Sequence, residues 1–266
     1  MMNSIAFLTT IFPQNEKFLK CFFDSLCNQT YKDFDLIVVN DKFNNLNYYK
    51  YLYPNLNIVN INSCDTPAKN REVGINYCID NNYDILIFGD SDDYFQNDRI
   101  EKSLKILNQA DIAVNDLSLF NEKTLYKERY FSNRVKNHQI IEFEFIKNKN
   151  IFGFSNSAMR IFNKKKIYIP NDLVAVDWYI FSNLLLEGCK AVFTDETISF
   201  YRQYEQNIIG LKQLNEEHFN KVKNIKIKHF KSMSMDEHKF DNELKSLYSL
   251  SFNKRRKIKN PLWWEL

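Results

Sequence analysis

Five consecutive residues, Gly89-Asp90-Ser91-Asp92-Asp93, follow an almost unbroken apolar run, Ile85-Leu-Ile-Phe88. Three carboxylates within four positions repel one another unless a cation neutralises them. A hard divalent ion does so through one or two carboxylates together with substrate phosphates. A solvated turn with an aspartate capping the next helix is the plainer reading of the same residues. Three other segments carry side chains suited to such a site. Thr66-Pro-Ala-Lys-Asn-Arg-Glu-Val-Gly74 sets Lys69 and Arg71 at a helix start. There they face either water or a diphosphate, with the helix dipole assisting. Val176-Asp177-Trp178 opens an amphipathic helix, so Asp177 is either a terminal cap or a base for a hydroxyl group. Phe200-Tyr-Arg-Gln-Tyr204 is a strand whose polar continuation runs to Gly210.

The elements that must position these residues alternate through the first half. Ser4–Thr10, Phe34–Asn40, Ile58–Ile61, Ile85–Phe88 and Ile112–Val114 have the length and apolarity of strands. Between them lie a helix capped by Asn15 and running through Cys27, a second opened by Thr66-Pro67, and a third over Arg99–Gln109. Strands alternating with helices predict a mostly parallel central sheet flanked by helices. Ligands of such sheets bind beyond the carboxyl ends of the strands, where Asp41 and Asp90 fall. The second half is less regular. Residues 116–170 mix short strands, polar loops and the basic run Lys164–Lys166. A helix over Asp177–Glu187 is closed by Gly188, and strands are expected at Ala191–Thr194 and Ile198–Arg202. From Leu214 the pattern is helical.

Composition removes several classes. Only five glycines occur, so a Gly-rich phosphate loop of the dinucleotide or P-loop kind is excluded. The five cysteines, Cys21, Cys27, Cys64, Cys78 and Cys189, have no C-x-x-C spacing, which argues against zinc and for reduced thiols in a cytoplasmic protein. Met1–Thr10 lacks the features of a signal peptide, and no run is long enough to span a membrane. Net charge is +3, yet residues 221–260 hold twelve Lys or Arg against four acids, leaving the rest of the chain net negative. A basic tail on a slightly acidic body suits an anionic surface. Lys254–Lys257, Lys259 and Trp263-Trp264 combine charge with interfacial aromatics, so peripheral attachment to the inner face of a membrane is one expectation. The alternative is that the Trp pair packs back on the body or in a homodimer contact. No nucleic-acid-binding motif is present, and nucleic acid is not expected as a partner.

The order of the four chemical segments resembles glycosyltransferase family 2, inverting enzymes of the GT-A fold found in bacterial surface-polysaccharide synthesis. The resemblance is carried by Ser25-Leu-Cys-Asn-Gln-Thr-Tyr-Lys-Asp-Phe-Asp-Leu-Ile-Val-Val-Asn-Asp41, by Lys69-Asn-Arg-Glu-Val-Gly74, by Asp90–Asp93, by Val176-Asp177 and by Tyr201-Arg-Gln-Tyr204. It covers roughly residues 4–210. It implies a GT-A domain over 1–213, divided into a nucleotide-binding half (1–115) and an acceptor-binding half (116–213), followed by a basic helical extension (214–266). Thr9 and Thr10 would line the nucleotide site, with Asp41 on the base and Lys69 or Arg71 on the nucleotide. Asp90 and Ser91 would meet the ribose or donor sugar. Asp92, with Asp90, would bind Mn2+ or Mg2+ bridging the phosphates, and Asp177 would be the catalytic base. Asp93, Gly153, Trp178, Arg202 and Tyr204 would lie on the acceptor side or nearby. The donor would be a nucleotide-sugar, usually UDP-linked, and the acceptor a glycan or lipid-linked oligosaccharide. Two departures stand out: Tyr204 replaces a frequent His, and Asp177 follows Val rather than Glu. The rival readings are a sugar nucleotidyltransferase or retaining transferase on a similar sheet, and a catalytically inactive GT-A-like domain that binds glycans.

Overall fold

Alternation within the first strand decides the layering. In β1 (Ile5–Ile11), Ile5 and Phe7 point to one side of the sheet and Ala6 and Leu8 to the other, and all four are buried. A strand buried on both faces needs cover on both, and helices supply it. The computed structural model describes residues 3–13, 16–121, 124–162, 165–204, 215–233, 239–255 and 257–265. The expected cap Asn15, the stretch Glu205–Gly210 and the 213/214 boundary lie outside them.

The first half runs α1 (Glu16–Cys27), β2 (Asp35–Asp41), α2 (Leu46–Leu52), β3 (Asn57–Ser63), α3 (Pro67–Asp80), β4 (Ile85–Phe88), β5 (Tyr94–Phe95) and α4 (Arg99–Leu107). The second half runs β6 (Ile112–Phe120), β7 (Leu125–Lys127), β8 (Ile140–Ile141), α5 (Phe143–Ile146), β9 (Ser157–Arg160), α6 (Val176–Leu186) and β10 (Ala191–Arg202). Then come α7 (Glu216–Met233) and α8 (Asp241–Ser249). The sheet order is β3-β2-β1-β4-β9-β6-β10-β5. Two parallel blocks, β3-β2-β1-β4 and β6-β10, are the longest ladders. The short β9 is antiparallel to both neighbours and joins the blocks. The sheet is therefore mixed α/β, with its parallel character concentrated in two blocks.

One core cluster gathers Phe7, Leu36, Val38 and Ile87 with α1 and α4. The other gathers Leu8, Val39, Leu86 and Phe88 with α3 and α6. Two glycines mark close approaches. A Cβ on Gly74 would sit 2.7 Å from Leu8 and Val39, and one on Gly89 2.5 Å from the Phe7 ring. Gly188, at φ +94°, ends α6 in the left-handed region.

The tail folds back. Trp264 is 4% exposed and belongs to the core, and Trp263 packs against Tyr130 and Tyr201 at centroid distances of 4.7 and 5.5 Å. Arg134 grips Glu265 through both terminal nitrogens, at 2.9 and 3.0 Å. Tyr130 donates to the Pro261 carbonyl at 3.0 Å. The expected interfacial pair of tryptophans thus packs back on the body, Trp264 buried and Trp263 partly so, because Trp263 finds aromatic partners on β10 and on the segment after β7. Among the described residues no helix is long and apolar enough to cross a membrane. All five cysteines are unpaired.

Candidate active site

The acidic turn is held from below by the second half of the chain. β4 ends at Phe88, and the close approach at Gly89 lets the backbone turn over the Phe7 and Phe95 rings. Asp93 is fully buried. One of its oxygens accepts from the Arg202 backbone N–H at 2.7 Å, and the other from the Ser155 hydroxyl. Burial, then the neighbouring Asp92 and Asp90 charges, push its carboxyl well above the usual range. Arg99, fully buried behind it, donates to the Phe88 carbonyl at 2.5 Å and lies 4.4 Å from the Phe95 ring. Burial lowers the Arg99 guanidinium to about 9, and the Asp93 and Asp90 charges oppose that fall. Asp93 is therefore an internal brace beneath the cleft rather than a wall of it.

Asp90 and Asp92 face the cleft. Asp90 pairs with Arg71 and receives the Ser155 hydroxyl. Arg71 reaches it from α3, where Thr66 caps the helix by accepting from the Lys69 N–H at 3.3 Å and Pro67 occupies the first turn. The other terminal nitrogen of Arg71 is buried with no partner among the described residues. Asp92 accepts the Tyr204 hydroxyl at 2.8 Å, and the Arg202 Nε donates to the Asp92 carbonyl at 2.7 Å. Burial, then Asp90, raises the Asp92 carboxyl, which is the condition that a cation relieves. Ser91 turns inward and donates to the Thr10 carbonyl at 2.8 Å.

Asp177 stands in the first turn of α6. Its Oδ1 accepts from the Trp178 N–H at 2.6 Å and from Asn150 Nδ2 at 3.2 Å. Both bonds fall on Oδ1, which leaves Oδ2 to take a proton. Burial raises its carboxyl to about 7; the Trp178 N–H opposes the rise and the Asp90 charge adds to it.

These groups border two spaces that share part of their wall. A cleft of about 430 Å³ is lined by Thr10, Arg71, Asp90, Ser91, Asp92, Asp177 and Tyr204, among others. A recess of about 70 Å³ also borders Asp90 and Asp177, with Gly153, Asn150, Trp263 and Trp264 in its wall. Asp90, Phe154, Asp177 and Tyr201 are common to both.

Not every residue singled out in the sequence reaches the cleft. Lys69 is engaged with Glu72 at 2.7 Å and lies over the Tyr168 ring. Asp41, at the end of β2, is held by Asn70 at 3.0 Å. Thr9 is buried and lines neither space. Trp178 is buried and donates to the Ile146 carbonyl at 3.0 Å, stacked on His229. Arg202 supports Asp92 and Asp93 from behind. Phe154 and Ser155 fall in Gly153–Ser157, a segment the resemblance sets on the acceptor side, and Tyr201 falls in the Tyr201–Tyr204 motif, but none of the three was given a role of its own; Asn150 has no local pattern that marks it. Among the described residues no group of three or more His, Cys, Asp or Glu is arranged to hold a metal ion by itself.

An acidic turn at the carboxyl end of a parallel strand, with a basic helix start on one side and an isolated Asp on the other, defines a GT-A-type α/β protein. The chain belongs to glycosyl transferase family 2, whose pattern matches residues 9–167, more than half of its length. That match contains the acidic turn and ends before Asp177. No curated protein sequence matches the chain. Among solved structures it is similar to S. aureus TarS residues 1–349 in complex with UDP-GlcNAc, with TM-score 0.64 and 15% identity over 94% of this chain and 74% of that one. It is similar to the mannosyltransferase PcManGT of Pyrobaculum calidifontis in complex with GDP-Man and Mn2+, with TM-score 0.62 and 12% identity over 94% and 70%. It is also similar to GalNAc-T7 with UDP, GalNAc and Mn2+, with TM-score 0.56 and 10% identity over 94% and 56%. At these identities the likeness is one of fold, and the family membership makes the protein a glycosyltransferase.

Proposed function

We propose that the protein transfers a sugar from a nucleotide-sugar, bound as a UDP-sugar in the pattern of its family, onto a glycan hydroxyl, with inversion at the anomeric carbon. The observation that carries this reading is the shared wall: Asp90 and Asp177 border both the larger cleft and the recess, so a donor on one side and an acceptor on the other meet there. The donor diphosphate lies against Arg71 and the acidic turn. Arg71 has an unpartnered buried nitrogen that a phosphate oxygen satisfies. Asp92 and Asp90 fit a divalent cation such as Mn2+ or Mg2+: they are hard oxygen ligands under mutual repulsion, and too few to hold an ion without phosphates. Such an ion, when bound, supplies positive charge for the departing diphosphate.

Asp177 Oδ2 takes the proton of the acceptor hydroxyl as its oxygen attacks the anomeric carbon. The new carbon–oxygen bond forms on the face opposite the breaking bond to the diphosphate. A base poised near neutrality suits this step, and Asp177 sits at about 7. Asn150 and the Trp178 N–H orient the carboxylate through Oδ1. Asp93, Arg99, Ser155 and Arg202 keep the acidic turn in place.

A thermal-shift screen of UDP- and GDP-sugars, each with and without Mn2+, tests the donor half. A specific donor raises the melting temperature by mass action, and only with the ion present. Release of nucleoside diphosphate tests transfer. A glycan-binding domain without activity gives no such release with any donor, and that result sinks the proposal.

A further inference from the structure

The recess behind Asp177 is closed by a segment outside the part of the chain that matches the family. Trp263 and Trp264 form one side of it. Their segment is fixed at three points: the Arg134–Glu265 pair, the Tyr130 hydroxyl on the Pro261 carbonyl, and the Asn150 N–H on the Trp263 carbonyl at 3.0 Å. Asn150 is 3% exposed, and its side chain donates to Asp177 Oδ1. One residue thus ties the tail to the carboxylate.

The size and chemistry of the recess are restrictive. At about 70 Å³ it holds only a few waters, since about 10–15 Å³ of such space admits one. A whole sugar ring does not fit, but an arm of two heavy atoms does. The wall is apolar where Phe131, Phe152 and Trp263 line it, and it carries acceptor oxygens where Asp90 and Asp177 line it. A methylene bearing a hydroxyl matches both parts.

We infer that the C-terminal segment is the specificity wall of the acceptor site, and that the recess takes the hydroxymethyl arm of an acceptor hexopyranose. This inference rests on the transferase reading. It makes Trp263 a specificity-determining residue, since its indole sets the depth available to the arm. Trp263 is partly exposed and has no hydrogen bond through its ring among those described, so its shortening leaves the three points that fix the segment in place.

The test measures kcat/KM for transfer onto methyl glucoside against methyl xyloside, and onto methyl galactoside against methyl arabinoside. The second sugar of each pair lacks the arm. The donor is a pool of UDP-glucose, UDP-galactose, UDP-N-acetylglucosamine and GDP-mannose with Mn2+. The wild-type protein is expected to favour one hexoside over its pentoside roughly ten-fold, as a filled pocket of this size allows. Trp263→Ala is expected to bring that ratio close to one and to admit the 6-O-acetyl hexoside, which the wild type rejects. A variant that is merely less stable lowers both rates alike and leaves the ratio where it was. Equal rates in the wild type, a ratio unchanged in Trp263→Ala, or diphosphate release without transfer to any of the four glycosides overturns the inference. Absence of diphosphate release from every donor overturns the transferase reading instead.

Discussion

Replacing Asp177 by Asn separates what this residue does for catalysis from what it costs the fold. The carboxyl rises from its ordinary 3.8 to about 7, burial being the main cause. At 1.36 kcal/mol for each pH unit, holding the ionised form in place costs about 4 kcal/mol, an upper limit because the side chain is partly exposed. The sign follows from proton binding. Between about pH 4 and 7 the folded chain binds the proton more tightly than the unfolded chain. The contribution of Asp177 is therefore complete at low pH and is lost as pH rises through 7. Asn has no such titration, and its side-chain oxygen still accepts from Trp178 and Asn150. Asp177→Asn is thus expected to match the wild type near pH 4 and to exceed it above pH 7. For a chain of 266 residues, about 4 kcal/mol corresponds to about 7 °C in Tm. Calorimetry across that range, in EDTA and without nucleotide, reads the difference directly. Transfer by the variant should fall roughly hundred- to ten-thousand-fold, the usual worth of a general base. A Tm difference that is the same at pH 5 and pH 8 would refute the electrostatic argument. Undiminished transfer would refute the assignment of the base.

Three further outcomes follow from the same geometry. Asp92→Ala should abolish the Mn2+-dependent part of the donor's thermal shift, while leaving the Arg71–Asp90 pair in place; an unchanged shift argues against Asp92 as a ligand. Tyr204→His replaces a hydroxyl that donates to Asp92 with an imidazole able to ligate, and isothermal titration should show tighter Mn2+ binding in the presence of UDP. Gly89→Ala places a methyl 2.5 Å from the Phe7 ring and 2.7 Å from Phe95, and denaturant titration should show a loss of about 1–3 kcal/mol.

The half of the site built from β4 and α3 was legible because its signals are local. Ile85–Phe88 reads as a buried strand and is one, and Thr66-Pro67 reads as a helix start and caps α3. The half built from the later part of the chain was not. β9 is Ser-Ala-Met-Arg, which has no apolar run, yet it joins the two parallel blocks. β10 reads as two strands because Asp195 and Glu196 interrupt it, whereas the structure keeps one strand with a register shift between Thr194 and Ile198. β6 continues past Val114 through Asn115, Asp116 and Ser118, polar residues that end a strand on sequence grounds. Asp116 is satisfied there by the N–H groups of Leu117, Phe131 and Ser132. Ser155 meets Asp93 from 62 positions away and Asn150 meets Asp177 from 27, and no short-range pattern records such pairings.

The bracing of the acidic turn by Arg202 also orders events during synthesis. Asp92 and Asp93 leave the ribosome 110 and 109 residues ahead of the Arg202 groups that hold them. At typical rates of elongation that interval is roughly 6–20 s. Throughout it the nascent chain can assemble β1 to β4 and display three adjacent carboxylates, but it cannot fix their geometry. The acidic turn is therefore fixed late, once β10 takes its place between β6 and β5.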